Sequence, residues 1–378
     1  MTPDRELVKV QQGEQAEVHE EQLSGAGETE PATSSTSDPP RSRESLGGKA
    51  RKFANHYGIV LAFIVLCILV GVTCQYRVMK GEWAENVFIT PDNFMLILYQ
   101  ISINGILAIG MTFVVISGGI DLSVGSVLAF TGMLAASFAT SLTSVTPWSG
   151  TYALGVPILF ALLGGVACGA FNGWIVSRFR IQPFIATLAM LLAARGAAMT
   201  LTGGNPISSL NPRLRWFGTG KLWDVPIPIV MFVIVFAIAW VILNKTVFGR
   251  YVYAVGGNER SARTSGIKNN QIKIWVYVIS GFLAGVAGII LTAKTGSGQT
   301  NAGSSYELDA IAATVIGGTS LSGGVGKLSG TLFGALIMGV MNNGLDILGV
   351  ESYYQSIIKG ALILTAVIID PSRKAADS

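Results

Sequence analysis

Residues 102–126 read SINGILAIGMTFVVISGGIDLSVGS, an apolar run that ends in a stretch rich in glycine, serine and aspartate. Apolar side chains also precede this segment, so the run extends over residues 93–117. A bilayer core about 30 Å thick needs about 20 residues of apolar helix, and this run is long enough. The polar stretch then separates it from a second apolar run. The sequence here predicts a membrane-spanning helix followed by a glycine-rich break.

The composition of the whole chain extends this interpretation. Of its 378 residues, 50% are hydrophobic and only 13% are charged, whereas charged residues make up about 25% of an ordinary soluble domain. We therefore expect an all-α, polytopic transmembrane helical bundle of about ten spans. By length and apolar content, the predicted spans cover residues 57–76, 93–117, 121–141, 151–177, 182–202, 226–244, 274–294, 308–320, 328–349 and 354–370.

Glycine and serine interrupt the apolar sequence at two breaks, residues 118–126 and 317–327. Non-helical backbone at membrane depth occurs where protein or a water-filled cavity satisfies its polar groups, so the breaks suggest the lining of a pathway. A tight turn that glycine packs closely between two helices is an equal alternative. The breaks also resemble each other, as VVISGGIDLSVG from residue 114 and TVIGGTSLSGGVG from residue 314 show. Either an internal repeat or chance similarity between glycine-rich segments would explain this resemblance.

The amino-terminal region differs from the rest of the chain. Residues 1–40 contain nine acidic and two basic residues, and such a segment buries too little apolar surface to fold. We expect a disordered tail over residues 1–52, acidic and then basic, a transmembrane domain over 53–371 with a long inner loop at 245–273, and a carboxyl tail over 372–378. The basic cluster before the first span, without a cleavage site, predicts a retained helix with its amino end in the cytoplasm.

Lysine and arginine placement tests this topology, because cytoplasmic loops carry an excess of both. With the amino terminus inside, sixteen basic residues outside the acidic segment fall on the inner side and six on the outer side. The charge distribution therefore supports a multi-pass protein with a cytoplasmic amino terminus. Both glycine breaks fall on the inner face, an arrangement that does not suit an inverted repeat.

Catalytic chemistry is missing from the sequence. The only histidines are His19, in the acidic tail, and His56, at the first membrane entry, and the three cysteines show no CxxC spacing. We therefore predict no catalytic residues and no metal site. The segment SLSGGVGKLSG at 320–330 differs from a phosphate loop, because Leu321 replaces the first glycine and Leu328 follows Lys327 where Ser or Thr is needed. The net charge of +4 is too small to indicate a nucleic-acid partner.

Ionisable residues inside the predicted spans form the remaining signal, since each costs about 2.5 to 3.5 kcal/mol to insert. Arg195, Asp309 and Lys359 lie within spans, and Asp121 lies in the first break. Asp121 suits either a cap on the following helix or a position on a pathway. For Arg195 and Lys359, pairing with carbonyls or carboxylates is favoured over contact with a substrate.

Polar residues near the breaks are candidates for the lining of a substrate pathway. The sequence nominates Gln100, Asn104, Asp121, Asn342 and Asn343.

The inner loop contains the segment GGNERSARTSGI, residues 256–267. Asn258 is placed as an N-cap, Glu259 lies in the first turn, and Gly266 is placed to end a short helix. Arg260 and Arg263 share one face of that helix. The segment suits either a docking surface for a soluble subunit or an amphipathic helix that rests on anionic lipid.

Five segments together resemble the permease subunits of bacterial ABC importers for ribose and related monosaccharides. They are residues 102–126, QPFIATLAMLLAARG at 182–196, FGRYVYAVGGNERSARTSGI at 248–267, YELDAIAATVIGGTSLSGG at 306–324 and NNGLDILGVESYYQSIIKG at 342–360. The resemblance covers residues 55–371 and implies the permease fold of these importers, with glycine-broken helices, in the bacterial inner membrane. The acidic tail departs from the family.

The resemblance also implies partners. It implies a homodimer with the sugar path at the subunit interface, two ATPase subunits below, which bind ATP and magnesium, and a periplasmic sugar-binding protein above. The coupling helix that receives the ATPase falls on residues 258–267. The chain itself then needs no cofactor, and its substrate is a pentose or a similar monosaccharide.

Two function classes remain after these exclusions. The first is a permease subunit that a partner ATPase drives, which agrees with the missing phosphate loop and the basic inner loop. The alternative is a self-sufficient, ion-coupled secondary sugar carrier, which requires functional carboxylates inside the membrane. An intramembrane enzyme requires a catalytic base that the sequence lacks.

Overall fold

The computed structural model describes residues 46–141, 152 and 154–369, so the predicted acidic segment and the carboxyl tail lie outside the described residues. Contacts divide the chain into Met1–Lys52 and Phe53–Ser378, and the architecture below is that of the second unit. The described residues form thirteen α-helices. They are α1 (Leu46–Met79), α2 (Pro91–Ile116), α3 (Val124–Ala139), α4 (Gly155–Phe179), α5 (Pro183–Thr200), α6 (Pro212–Thr219), α7 (Ile227–Lys245), α8 (Val247–Gly257), α9 (Glu259–Thr264), α10 (Asn269–Thr295), α11 (Tyr306–Ile316), α12 (Leu328–Ile347) and α13 (Ser352–Ile369).

The predicted all-α class is confirmed. Besides the helices, the described residues contain a 3-10 turn at Val87–Ile89 and a two-residue antiparallel pairing of β1 (Lys221–Leu222) with β2 (Val225–Pro226). Each of the ten predicted spans contains a helix, but only seven described helices are long and apolar enough to cross a membrane. The helices α3 and α13 are shorter apolar helices, and α11 has only 11 residues. The count of ten spans is therefore not confirmed.

The core of the bundle forms around α10. This helix packs against α2, α3 and α4, and 72% of its apolar window is buried, against 11% for α1. Helix α4 approaches α10 through Gly165, Gly169 and Gly173, where a methyl group would overlap with the backbone of α10. Small residues at a spacing of four let helix backbones approach closely where lipid provides no hydrophobic driving force. The exposed apolar side chains of α1 and α7 suit contact with lipid.

The two glycine breaks end their helices in the same way. At the end of α2, the Gly119 N–H donates to Val114 O and the Gly118 N–H to Val115 O, at 2.9 Å each. At the end of α11, the equivalent bonds run from Thr319 N–H to Thr314 O and from Gly318 N–H to Val315 O, at 3.1 and 2.8 Å. Gly118 and Gly318 have φ of +82° and +81°, as this helix-ending motif requires. The similarity between the two sequences therefore corresponds to a shared C-terminal cap.

The two breaks touch each other, and the end of α8 touches both. The Gly324 N–H donates to Ile116 O at 2.8 Å, and a methyl group on Gly323 would lie 2.9 Å from Gly118 Cα and 2.8 Å from Gly256 O. We call this contact between residues 116–118, 256–257 and 323–324 the glycine junction. Its close packing agrees with the tight-turn interpretation and with the predicted placement of both breaks on one face.

A tyrosine adds a side-chain bond next to the glycine junction. The Tyr253 hydroxyl of α8 donates to Gly326 O at 2.8 Å. Burial raises the pKa of this hydroxyl above its ordinary value, because an ionised phenolate would lose its hydration. Tyr253 therefore stays protonated at neutral pH and remains able to donate.

Gly256 and Gly257 provide a test of the junction. A methyl group on Gly256 would overlap with Ile116 O, whereas one on Gly257 would meet only Gly324 Cα, at 3.9 Å. We expect Gly256→Ala to destabilise the protein by about 1–3 kcal/mol, because the backbone segments must separate. Gly257→Ala should leave stability unchanged or slightly higher, since alanine favours helix by about 1 kcal/mol. The apparent melting temperatures in detergent measure the difference, and equal values for both variants would contradict the junction.

Candidate functional site

A small polar cavity lies between α2, α11 and α12. Gln100 and Asn104 of α2, Asp309 of α11 and Asn342 of α12 line it together with apolar side chains, and its volume is about 20 Å³. Gln100 and Asn104 point to one side because residues four apart share a helix face. Such a volume holds about one water-sized group. Three of the five pathway residues nominated from the sequence therefore meet at one place, and their role in transport stays a prediction.

Asp309 anchors this cavity through an ion pair with α13. The Lys359 ammonium lies 3.1 Å from Asp309 Oδ1 and donates to Oδ2 at 3.2 Å. Asp309 is 4% exposed, whereas the lysine side chain keeps 24% of its surface exposed. The pairing agrees with the predicted structural role of Lys359. The sequence contained a signal for the pair, because Lys359 is the only basic residue in the last three predicted spans and Asp309 is one of three acidic residues there.

Asp309 also faces two amides. Asn104 Nδ2 donates to Asp309 Oδ2 at 3.5 Å, and the Asn342 side chain lines the same cavity as the carboxylate. The amide oxygens of Asn104 and Asn342 are buried and have no hydrogen-bond partner among the described residues. The cavity thus contains two acceptors that the rest of the described chain does not satisfy.

Asp121 does not join this cavity. Its Oδ1 accepts from the Ser123 N–H at 3.0 Å and from the Ser123 hydroxyl at 2.6 Å, and its Oδ2 accepts from the Ser280 hydroxyl at 2.8 Å. Asn172 Nδ2 donates to Ser123 Oγ at 2.9 Å. Both carboxylate oxygens are therefore occupied just before α3 begins. Asp121 binds Ser123, the residue that precedes the helix, and forms no side-chain cap on α3 itself within the described part of the chain.

Asn343 has its own partner. Asn93 Nδ2 donates to Asn343 Oδ1 at 3.1 Å, and Asn343 Nδ2 donates to Asn93 Oδ1 at 2.8 Å. This reciprocal pair joins α2 to α12 and leaves the cavity to Asn342. A pathway role for Asn343, like that for Asp121, is a prediction that the contacts do not test.

Arg195 fulfils its predicted structural role. Its Nη1 donates to Thr300 O at 2.7 Å and to Ala302 O at 2.9 Å. These bonds hold the segment between α10 and α11 against α5. The guanidinium therefore pairs with carbonyls, as the sequence favoured.

The predicted inner helix is present as α9. The Ser261 N–H donates to Asn258 Oδ1 at 2.9 Å, so Asn258 is the N-cap. After the helix, the Ile267 N–H donates to Ala262 O at 3.0 Å and Gly266 has a φ of +84°, the helix-ending motif again. The predicted start and end of the helix are both confirmed.

Two contacts fix α9 to α10. Lys273 Nζ lies 2.8 Å from Glu259 Oε2, and Asn269 Nδ2 donates to Glu259 O at 2.7 Å. Arg263 Nη2 lies 3.7 Å from Glu259 Oε1, on the solvent side. The short helix therefore has a fixed position at the first turn of α10, the central helix of the bundle.

A groove of about 860 Å³ lies beside α9. Arg260 and Arg263 line it as the shared face predicts, together with Lys273 and Arg180. The groove lining thus contains four cations and one acidic residue, Glu259. Because positive charge predominates, the groove suits an acidic partner surface. Arg180, which follows α4 with a φ of +54°, was not predicted as part of this surface. The available signal was its position at the inner end of a predicted span, the side on which the basic loop was also placed.

Comparisons with known proteins identify related chains. The family model described as "Branched-chain amino acid transport system / permease component" matches residues 93–367. The ribose import permease protein of Escherichia coli K12 is 50% identical over 291 residues, covering 76% of this chain and 88% of the relative. The ribose import permease protein of Bacillus subtilis 168 is 47% identical over 294 residues, covering 76% of this chain and 87% of the relative.

More distant relatives are also sugar permeases. The L-arabinose ABC transporter permease protein of Azospirillum brasilense is 34% identical over 346 residues, covering 92% of this chain and 95% of the relative. The D-allose transport system permease protein of Escherichia coli K12 is 36% identical over 322 residues, covering 84% of this chain and 92% of the relative. No solved structure matches the chain.

The ion pair in the cavity can be tested by stability. Lys359→Met leaves the Asp309 carboxylate buried without a counter-charge, and we expect the free energy of unfolding to fall by about 2 kcal/mol. This is less than the usual cost of breaking a fully buried pair, because the lysine is partly exposed. Asp309→Asn combined with Lys359→Met removes both charges and should recover most of the loss. Apparent melting temperatures in detergent give the comparison.

An exposed ion pair serves as the control for this prediction. Arg77 Nε and Glu82 Oε2 lie 3.7 Å apart, with side chains 39% and 48% exposed. Glu82→Gln should change stability by less than about 1 kcal/mol. If Lys359→Met were as mild as this control, or if the double variant recovered nothing, the ion pair would not have the assigned role.

Proposed function

Because the chain belongs to the ribose-type permeases of ABC monosaccharide importers, we propose that it carries a neutral pentose or similar monosaccharide and that a partner ATPase drives it. As a permease subunit of a sugar ABC importer, it has a non-enzymatic membrane role. The partner binds ATP and magnesium. A periplasmic sugar-binding protein delivers the sugar, and a second copy of the chain completes the path. The inner membrane holds the complex with the amino terminus in the cytoplasm.

The single observation that carries coupling to an ATPase is the fixed position of α9. A helix that receives a mechanical displacement must be attached to the elements that move. Lys273 and Asn269 attach Glu259 to α10, and the basic groove beside it suits an acidic surface. An amphipathic helix on lipid needs no such attachment, so the contacts favour docking of a protein subunit.

A continuous path of backbone contacts supports transmission from this surface to the cavity. Helix α8 ends one residue before α9 and contacts both breaks at the glycine junction. One break ends α2, which carries Gln100 and Asn104, and the other precedes α12, which carries Asn342. A displacement of the α8 end therefore acts on both helices that line the cavity from opposite sides. Rigid helices of this kind are the physical elements that carry coupling.

The cavity chemistry favours a neutral substrate over a coupling ion. Lys359 balances the charge of Asp309 at 3.1 Å, which leaves dipolar amide groups rather than a net charge. The ion-coupled carrier, which requires carboxylates free to bind the ion, is therefore the weaker alternative.

Docking at the groove predicts a specific effect of Arg260. Its side chain is exposed and forms no ion pair within the described part of the chain, so Arg260→Ala leaves the anchoring of α9 intact. We expect about tenfold weaker binding of the partner ATPase to the permease in nanodiscs, since an interface arginine contributes more than 1 kcal/mol. The melting temperature should stay unchanged.

Arg250→Ala is the matched control. Arg250 is exposed on the preceding helix α8 and does not line the groove, so the same charge change should leave ATPase binding unaltered. Equal weakening by both variants would point to a general charge effect and count against docking. A loss seen only in discs that contain anionic lipid would assign α9 to the membrane surface instead.

A further inference from the structure

The orientation of the two cavity amides follows from Asp309. An ionised carboxylate only accepts hydrogen bonds, so a neighbouring amide can face it only with its NH₂ group. Asn104 Nδ2 donates to the Asp309 carboxylate, and the Asn342 side chain shares the cavity lining with it. Their oxygens are thereby turned away from Asp309, and both are buried without a partner among the described residues. Asp309 thus makes one side of the cavity a pair of hydrogen-bond acceptors.

A buried amide oxygen without a partner costs about 1–3 kcal/mol. Asn93 and Asn343 avoid this cost because they satisfy each other, and serines fill the oxygens of Asp121. Of the six buried side-chain atoms without a partner among the described residues, Asn104 Oδ1 and Asn342 Oδ1 are the two that line this cavity. The others are Asn86 Oδ1, Asn269 Oδ1, Glu307 Oε2 and Thr319 Oγ1. Unsatisfied polar groups of this kind indicate a ligand that completes them.

We infer that Asn104 Oδ1 and Asn342 Oδ1 form a subsite for the hydroxyl groups of a neutral sugar, and that Asp309, held by Lys359, is the residue that positions them. This inference rests on the proposed function and adds the atoms that recognise the substrate. A sugar hydroxyl supplies the donor that both oxygens lack. The cavity volume of about 20 Å³ matches one hydroxyl-sized group, so the rest of the sugar occupies space that opens when the lining helices separate.

The charge balance excludes the main competing ligand, a cation. The Lys359 ammonium is 3.1 Å from Asp309 Oδ1, where a second positive charge would be repelled. An anion would meet two carbonyl oxygens and a carboxylate. A neutral group with an O–H donor is the ligand class that suits this arrangement.

The test uses the assembled importer, with partner ATPase and sugar-binding protein, in proteoliposomes. Asn104→Leu and Asn342→Leu keep the side-chain shape and remove one acceptor each. We expect either variant to lower D-ribose uptake about tenfold, the effect of one lost hydrogen bond. The same variants are then measured with the 2-, 3- and 5-deoxy derivatives of D-ribose. For the derivative that lacks the bound hydroxyl, the variant and the unaltered importer should differ by less than about threefold.

The positioning role of Asp309 has its own variant. Asp309→Asn with Lys359→Met keeps the shape, removes both charges and places an amide where the carboxylate stood, so Asn104 and Asn342 are free to turn their NH₂ groups to the cavity. We expect this double variant to lose the discrimination between D-ribose and the same deoxy derivative. A residue with a merely structural role would lower the uptake of all sugars by one factor.

Thr112 and Thr331 supply the matched control. Their hydroxyls are 2.8 Å apart and join the same helices, α2 and α12, away from the cavity lining. Thr112→Val with Thr331→Val should keep the uptake of every sugar within about twofold of the unaltered importer.

Three results would overturn the inference. Equal loss for D-ribose and all its deoxy derivatives in the asparagine variants would show that the amides do not bind sugar hydroxyls. Uptake that depends on sodium in the unaltered importer and loses this dependence in Asn342→Leu would make the cavity a cation site. Failure of the unaltered importer to take up D-ribose or any related monosaccharide would overturn the proposed function itself, and the subsite with it.

Discussion

The contact on which the described bundle depends is the one between three backbone segments at the glycine junction. The Gly324 N–H donates to Ile116 O at 2.8 Å, and Gly118, Gly256 and Gly323 lie so close that side chains would separate them. Non-helical backbone at this position needs partners from protein, because a bilayer core supplies no hydrogen bonds. The junction provides them and at the same time joins the ends of α2, α8 and α11.

The same rule about buried polar groups separates structural from functional polarity in this protein. Asp121 is enclosed by serine donors, and Asn93 and Asn343 satisfy each other. Arg195 donates to two carbonyls. Each set closes on itself and stabilises the contact between helices. The set around Asp309 instead leaves two acceptors open in one cavity, and this difference, rather than the presence of charge, is the basis of the proposed subsite.

Sequence patterns predicted the features that depend on local interactions. Apolar run length placed a helix in every predicted span, and the cap residues Asn258 and Gly266 placed both ends of α9, because capping involves only neighbours along the chain. The grouping of polar residues was not predictable in this way. Asn342 and Asn343 are adjacent in sequence, yet they point about 100° apart on a helix. Asn342 lines the cavity, whereas Asn343 binds Asn93. Which of the two faces the cavity depends on the rotation of α12, which only tertiary packing sets. The count of ten spans is not confirmed for a related reason, since α11 has only 11 residues and its length alone does not show that it crosses the membrane.

The distance between the junction and the cavity connects these features. From Asn104 to Ile116 the helix α2 rises about 18 Å, a little over half of a bilayer core about 30 Å thick. A small shift of the α8 end at the junction is therefore carried to the middle of the membrane by a single rigid helix. On the other side, α12 carries Asn342 from the second break. Asp309 binds Asn104 of α2 and shares a cavity with Asn342 of α12, so a separation of α2 from α12 changes the arrangement of both amides. In the proposed subsite, motion at the junction and the affinity for hydroxyl groups are thus linked by the same carboxylate.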